Sequence, residues 1–319
     1  MSKFDPYNHL SIILNSDGTL TRNYNAPTVN ANPEPSPAGD STVSKDITLN
    51  IENKTWLRIY RPTKLPSNDN TVARLPIIVY FHHGGWILLS AADVNIHTNC
   101  SQLAGDIPSI VVSVNYSLAP ESRLPEQYCD ANDAISWVKQ QIIDPKGDEW
   151  IREYGDPSRC YLYGCGCGGN IVFNLGMKVS ELKLEPLRIQ GIIMNQPMFG
   201  GVKRTKSELQ FATDELLPLP VLDLMWDLVL PKQTDRDHRY CNPLLEGPHK
   251  EAIGRLAKCL VIGFGRDIMI DRQQELVTML VKCGVQVDAR FDPVGFHNVD
   301  MVDPQRASAV LNIVKEFIV

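Results

Sequence analysis

Four short stretches carry residue types that could do chemistry together. Residues 163–170 read YGCGCGGN, after the strand-like run CYLYG and before the apolar run NIVFNLGMKV. A strand–turn–helix frame of this kind is where a G-x-S-x-G turn presents a serine hydroxyl. In that register the five places are filled by Gly164, Cys165, Gly166, Cys167 and Gly168, so the serine's place is held by Gly166. A second stretch, FHHGGW (81–86), follows the apolar run LPIIVYF. Glycines lack a Cβ, so the N–H groups of Gly84 and Gly85, with that of Cys167, could face an oxygen gaining negative charge. Asp267 in GFGRDIMIDR and His297 in DPVGFHNVD each come just after a further apolar run. An imidazole oriented by a carboxylate can take or give a proton near neutral pH. Without a hydroxyl at Gly166, however, an acyl-enzyme has no oxygen to form on.

Cys165 and Cys167 flank the turn, where neighbouring side chains point in different directions. Two small buried thiols are the plainer reading, and whether either replaces the serine stays open. The one-residue spacing of CGC does not suit a C-x₂₋₄-C zinc site, so neither a metal nor another cofactor is expected. His82 reads as a structural histidine orienting its loop. His83 either projects into the space left at Gly166 or packs under a lid. Trp86, Phe211 and Trp226 are candidate linings of a substrate pocket, with apolar packing as the alternative. Asp271 and Arg272 are expected to brace the loop around Asp267.

These residues need a scaffold, and the pattern around them supplies one. LPIIVYF, SIVVSVNY, CYLYG, IQGIIMNQP, CLVIGFG and VDARFDP read as short strands, with TWLRIYRP before them. The polar stretch 64–74 separates TWLRIYRP from LPIIVYF as a hairpin loop would. Between the strands lie helical patterns. In EQYCDANDAISWVKQQII, Ala131, Ala134, Ile135, Val138 and Ile142 share one face. DRQQELVTMLVKCG carries Leu276, Met279 and Leu280, with Gly284 as its stop. Strands alternating with helices predict a mainly parallel sheet covered on both faces. Residues 23–45, rich in Pro, Asn and Ser, read as an extended connector. Residues 200–242 interrupt the rhythm, and LPLPVLDLMWDLVLP within them reads as helical insertion material.

Composition narrows the partners. The chain has 319 residues, an apolar share of 43% and a net charge of −6. That balance gives no electrostatic reason to expect nucleic acid or an anionic membrane as a partner. The start, MSKFDPYNHLSIIL, lacks the basic and apolar regions of a signal peptide, and no apolar run approaches the ~20 residues of a membrane span. Eight scattered cysteines suit reduced thiols and a cytoplasmic setting, with a nuclear one also open. A small-molecule substrate or ligand is the expected partner; oligomeric state is not legible.

With its motifs in this order, the chain resembles the plant carboxylesterases of the hormone-sensitive-lipase-like group. YFHHGGW stands where that family has H-G-G-G, and NYSLAPESRLPEQYCDA where it has D-Y-R-L-A-P-E-x-x-x-P-A-A-x-x-D-A. YGCGCGGN stands for G-[DE]-S-A-G-G-N, while RDIMIDR and GFHNVD match the Asp and His segments. The likeness covers nearly the whole chain, including FGGVKRTKSEL and DRDHRYCNP. It implies a single α/β-hydrolase domain over 1–319: a mainly parallel central sheet, helices on both faces, and a helical lid from 1–45 and 200–235. The departures are Gly166 for Ser, Cys165 for an acid, Cys167 for Ala, His83 for the first loop Gly, and Ser117 for Arg.

Three readings follow from the resemblance. The site is repurposed for cyclase or lyase (dehydratase) chemistry, by analogy with a hydroxyisoflavanone dehydratase and alkaloid cyclases of this fold. Alternatively it is a small-molecule receptor like the gibberellin receptor, or a residual esterase. The receptor family loses the histidine, whereas this chain keeps His297. That contrast favours proton transfer by the His297–Asp267 pair on a small plant metabolite.

Overall fold

A computed structural model of the chain describes residues 4–35, 39–65, 67–68, 71–179 and 181–318. Its strands are β1 (Ile12–Leu14), β2 (Leu20–Arg22), β3 (Thr42–Asn50), β4 (Thr55–Pro62), β5 (Ser67–Asn68), β6 (Thr71–Val72), β7 (Leu75–Phe81), β8 (Ile110–Asn115), β9 (Gly155–Cys165), β10 (Ile189–Asn195), β11 (Lys258–Phe264) and β12 (Val287–Asp292). The α-helices are α1 (Pro6–His9), α2 (Val94–Asp106), α3 (Glu126–Ile143), α4 (Cys167–Val179), α5 (Lys206–Gln210), α6 (Leu219–Val229), α7 (His249–Ile253), α8 (Ile270–Lys282) and α9 (Pro304–Ile318). Eight strands form one sheet in the order β12-β11-β10-β9-β7-β8-β4-β3. The six from β12 to β8 run parallel, and β4 and β3 are added antiparallel.

Parallel strands need covering on both faces, and the burial follows. Every residue of β7 is buried, as is all of β8 except Asn115. One face is packed by α3, α4 and α8, through residues such as Ala134, Ile171 and Leu276, and α6 joins the same apolar cluster through Val221. The other is packed by α2 and α9, through Leu103, Val314 and Phe317. On α3, Ala131, Ala134, Ile135 and Val138 are buried and Ile142 is half-buried, as the helical spacing predicts. Gly284 ends α8 at φ +83, a left-handed stop that glycine adopts without a Cβ clash. No described helix is long and apolar enough to cross a membrane.

Two expectations about connections are corrected. The stretch 64–74 does not join paired strands, because β4 pairs with β3 and β8 rather than β7. Two-residue antiparallel pairing of β5 with β6 lies within it, and residues 66, 69 and 70 are outside the described residues. The connector expected over 23–45 ends earlier, since β3 begins at Thr42 and pairs with β4 as a hairpin. Polar TVSKDITLN hid that strand: β3 is an edge strand with Asp46 and Thr48 exposed and its outer half otherwise only half-buried, so it lacks an apolar run. Of the expected 1–45 segment, residues 1–3 and 36–38 lie outside the described residues.

The two candidate lid segments touch each other and the loop after β7. His9 Nε2 lies 3.2 Å from the Leu216 carbonyl oxygen, and α1 packs on α6. Trp226 of α6 meets Trp86 with ring centroids 4.9 Å apart. From the N-terminal side, Arg22 donates to the Ile87 and Ala119 carbonyls at 2.6 and 2.7 Å and pairs with Glu121. A buried ion pair ties α5 to α8: Arg272 Nε donates to Glu208 Oε1 at 2.9 Å, with side chains only 6% and 1% exposed. Removing one partner would strand the other charge away from water. Glu208→Ala is therefore expected to lower unfolding free energy by about 3–5 kcal/mol, read from urea titration.

Candidate active site

At the carboxyl end of β9 the chain turns into α4 through Gly166, which holds φ +53. That left-handed conformation is strained for a side-chain-bearing residue and free of strain for glycine. The turn is tied on both sides: Gly166 N–H donates to the Asn195 carbonyl at 2.9 Å, and its own carbonyl accepts from Gly169 and Met198 at 3.0 and 2.9 Å. A Cβ added at Gly166 would lie 3.3 Å from His83 Cβ. The turn therefore has strand–turn–helix geometry, no side chain, and His83 as its neighbour. The backbone and Cβ of His83 stand against Gly166.

Asp267 follows β11 and His297 follows β12, so two neighbouring strand ends bring them together. His297 Nδ1 lies 3.0 Å from Asp267 Oδ2. A carboxylate can only accept, so Nδ1 carries the proton and Nε2 is left as the reactive nitrogen. Asp267 is fully buried and His297 is 8% exposed. The carboxylate is itself held, accepting from Met269 N–H and from Gln273 Nε2, each at 2.9 Å. Burial opposes charge on His297, but the carboxylates of Asp267, Asp300 and Asp214 outweigh it and raise its pKa above the ordinary value. Asp271 and Arg272 brace this region as expected: Asp271 Oδ2 accepts from Ser207 N–H at 2.8 Å, and Arg272 holds Glu208.

Spacing did not reveal the layer behind the histidine. Asp300 accepts from Asn195 Nδ2 at 2.7 Å and Gln196 Nε2 at 2.8 Å, while Gln196 Oε1 accepts from Asn298 N–H at 2.7 Å. The end of β10 thus fixes the loop that carries His297. One sequence signal was available, an acid three places after the histidine in GFHNVD. Asp214, on the loop between α5 and α6, was invisible as a partner because only folding brings that insertion near β12. Phe211 is half-buried at the end of α5, and its carbonyl accepts from Asp214 N–H at 2.9 Å. It therefore lies one turn from a residue that acts on His297.

The loop after β7 is layered between sheet and α6. Gly84 and Gly85 hold φ +116 and +61, and a Cβ on Gly85 would meet Met225 Sδ at 2.5 Å. His82 is fully buried, stacks on Tyr116 with centroids 4.3 Å apart, and donates from Nδ1 to the His83 carbonyl at 2.6 Å. Its structural role stands. Burial pushes His82 down to about 4; burial, then the neighbouring His82 and His297, push His83 down to about 3. Both rings are therefore neutral at pH 7. Trp86 and Trp226 are fully buried against one another. Their Nε1 atoms, His82 Nε2 and His83 Nδ1 have no protein partner among the described residues.

His82 also sets a pH dependence. As pH falls from 6.5 to about 4, the unfolded chain takes up a proton at this residue that the folded chain refuses. Stability is thus lost on acidification through that window, by about 3 kcal/mol in total. His82→Gln is expected to flatten the slope of unfolding free energy between pH 6.5 and 4 relative to the parent chain. Parallel slopes in the two proteins would remove His82 as its source.

The two thiols lie on opposite faces of the sheet. Cys165 packs with Tyr80, whose hydroxyl donates to its sulfur at 3.4 Å, and burial first, then Asp300, push its thiol up to about 12. Cys167 lies on the other face, where Trp86 N–H donates to its sulfur at 3.3 Å. Burial raises its pKa against the pull of the Tyr116 hydroxyl and the N–H groups of Trp86, Gly85 and Gly168. Neither thiol is primed as a thiolate.

Comparison with known proteins agrees with this architecture. The profile of the alpha/beta hydrolase fold family matches residues 78–301. Probable carboxylesterase 9 of Arabidopsis thaliana is 52% identical over 316 residues, covering 99% of this chain and 97% of that protein. 3-O-acetylpapaveroxine carboxylesterase CXE2 of Papaver somniferum is 42% identical over 320 residues, covering 98% and 99%. Gibberellin receptor GID1C of Arabidopsis thaliana is 32% identical over 269 residues, covering 81% and 73%. Sheet order, strand-end site and full-length likeness lead to one assignment: this chain belongs to the plant carboxylesterase family of alpha/beta hydrolases.

Proposed function

We propose that this carboxylesterase-like chain performs non-hydrolytic chemistry of the lyase or cyclase type on a small plant metabolite, with His297 and Asp267 moving the proton. The observation that carries the reading is a buried, braced imidazole–carboxylate pair, tied through Asp300 and Asn195 to a turn whose apex has no side chain. A base without a nucleophile suits removal of a proton next to a carbonyl, followed by elimination or ring closure. His297 Nε2 takes the proton, and the Asp267 carboxylate on Nδ1 stabilises the imidazolium that forms. Gly84, Gly85 and Cys167 N–H groups are the donors for enolate-like charge. Phe211 lines the apolar surround, with Trp86 and Trp226 packed against one another behind it, and residues 1–45 with 200–235 serve as the lid.

The test is incubation of the purified protein with fractionated plant-metabolite extracts, followed by mass spectrometry of substrates and products. Products isomeric with a consumed compound, or lighter by a small neutral molecule, are expected. Release of free acids and alcohols would return the chain to ester hydrolysis. Tight retention of one compound with no product at any pH would make it a binding protein, as the name of its gibberellin-receptor relative describes.

A further inference from the structure

Two departures from the esterase pattern meet at one contact. A Cβ on Gly166 would lie 3.3 Å from His83 Cβ and 3.9 Å from its Cα. The longer distance is ordinary van der Waals contact; the shorter is tighter than nine in ten real Cβ contacts, so one side must give. Neither side is free to do so. Gly166 is tied through both its N–H and its carbonyl, as described above. The His83 loop is clamped by the Nδ1 contact of His82, by Met225 on Gly85, and by Arg22 on the Ile87 carbonyl. With glycine at the loop position, only the backbone distance would remain and an elbow side chain would fit.

We infer that His83 and Gly166 are one compensating pair, and that His83 is the specificity-determining residue that closes this site to acyl transfer. The esterase arrangement has a small loop residue and an elbow side chain; here the two sizes are exchanged. Burial first, then charge on His82 and His297, hold the His83 imidazole neutral at this contact. A carbonyl-bearing ligand, esters included, is held beside His297 and leaves with its acyl group intact. This deepens the non-hydrolytic reading of the site and rests on it.

The test compares Gly166→Ser with His83→Gly/Gly166→Ser, using p-nitrophenyl acetate as probe. In the acetylation step the introduced oxygen bonds to the acetyl carbon, the bond to p-nitrophenolate breaks, and the hydroxyl proton passes to His297 Nε2. Water then releases acetate. The single variant is expected to stay at the parent rate with no acetyl-enzyme in intact-protein mass spectra. The double variant is expected to show a burst, an acetyl adduct and a gain of roughly 10³-fold, part of the ~10⁶ that a serine confers. Acetylation of the single variant as fast as the double would overturn the inference, as would its absence from both. A thermal cycle adds a readout that needs no substrate. The Tm loss caused by Gly166→Ser is expected to be smaller in the His83→Gly background than in the parent, and simple additivity would overturn the pairing. If the proton-transfer reading fails, this cycle still stands; if the cycle fails, the role of His297 is untouched.

Discussion

Hydrolysis of p-nitrophenyl acetate by this chain is expected to run about 10⁶-fold more slowly in kcat than in a serine-bearing carboxylesterase. The size follows from what is missing and what remains. Loss of the serine from a hydrolase triad costs about that factor, leaving roughly 10³–10⁴ over water from oxyanion donors and binding. Neither thiol offers a substitute. Cys165 lies on the opposite face of the sheet with its pKa pushed up to about 12, and the Cys167 sulfur is engaged by Trp86 N–H and Tyr116. Stopped-flow release of p-nitrophenolate and intact-protein mass spectrometry check it together. A burst with an acyl adduct on either cysteine would reverse the conclusion and identify the replacement nucleophile.

His297→Ala is expected to cut turnover of the native substrate by roughly 10²–10⁴-fold, the usual cost of removing a positioned general base. Ligand affinity should change little, because the pair acts on the moving proton rather than on ground-state binding. The pH profile carries the finer signature. Asp267, Asp300 and Asp214 raise the pKa of His297, so the parent's rate as a base should rise with pH through a midpoint above 6.5. That limb should disappear in the variant. If turnover survives the substitution with its pH profile intact, His297 is an inherited structural residue, and catalysis rests on orientation in the pocket.

Strand–helix alternation, the spans of α3 and β4, and the order of loop, turn, Asp267 and His297 were legible before folding. These are local properties: an apolar period, a glycine stop, a motif next to a strand. The absence of a hydroxyl at Gly166 was equally local. Only tertiary structure decided which strands are neighbours. The polar edge strand β3 carries no apolar run, and β8 inserts between β4 and β7 because parallel strands pair across long connections. It also decided that His83 stands against Gly166, 83 positions away in the chain, and that Asp214 and Asp300 act on His297. Opposite faces for Cys165 and Cys167 followed from the same cause. Sequence spacing reports contacts one helical turn or one strand step apart; long-range contacts exist only once the sheet order has placed its strand ends side by side.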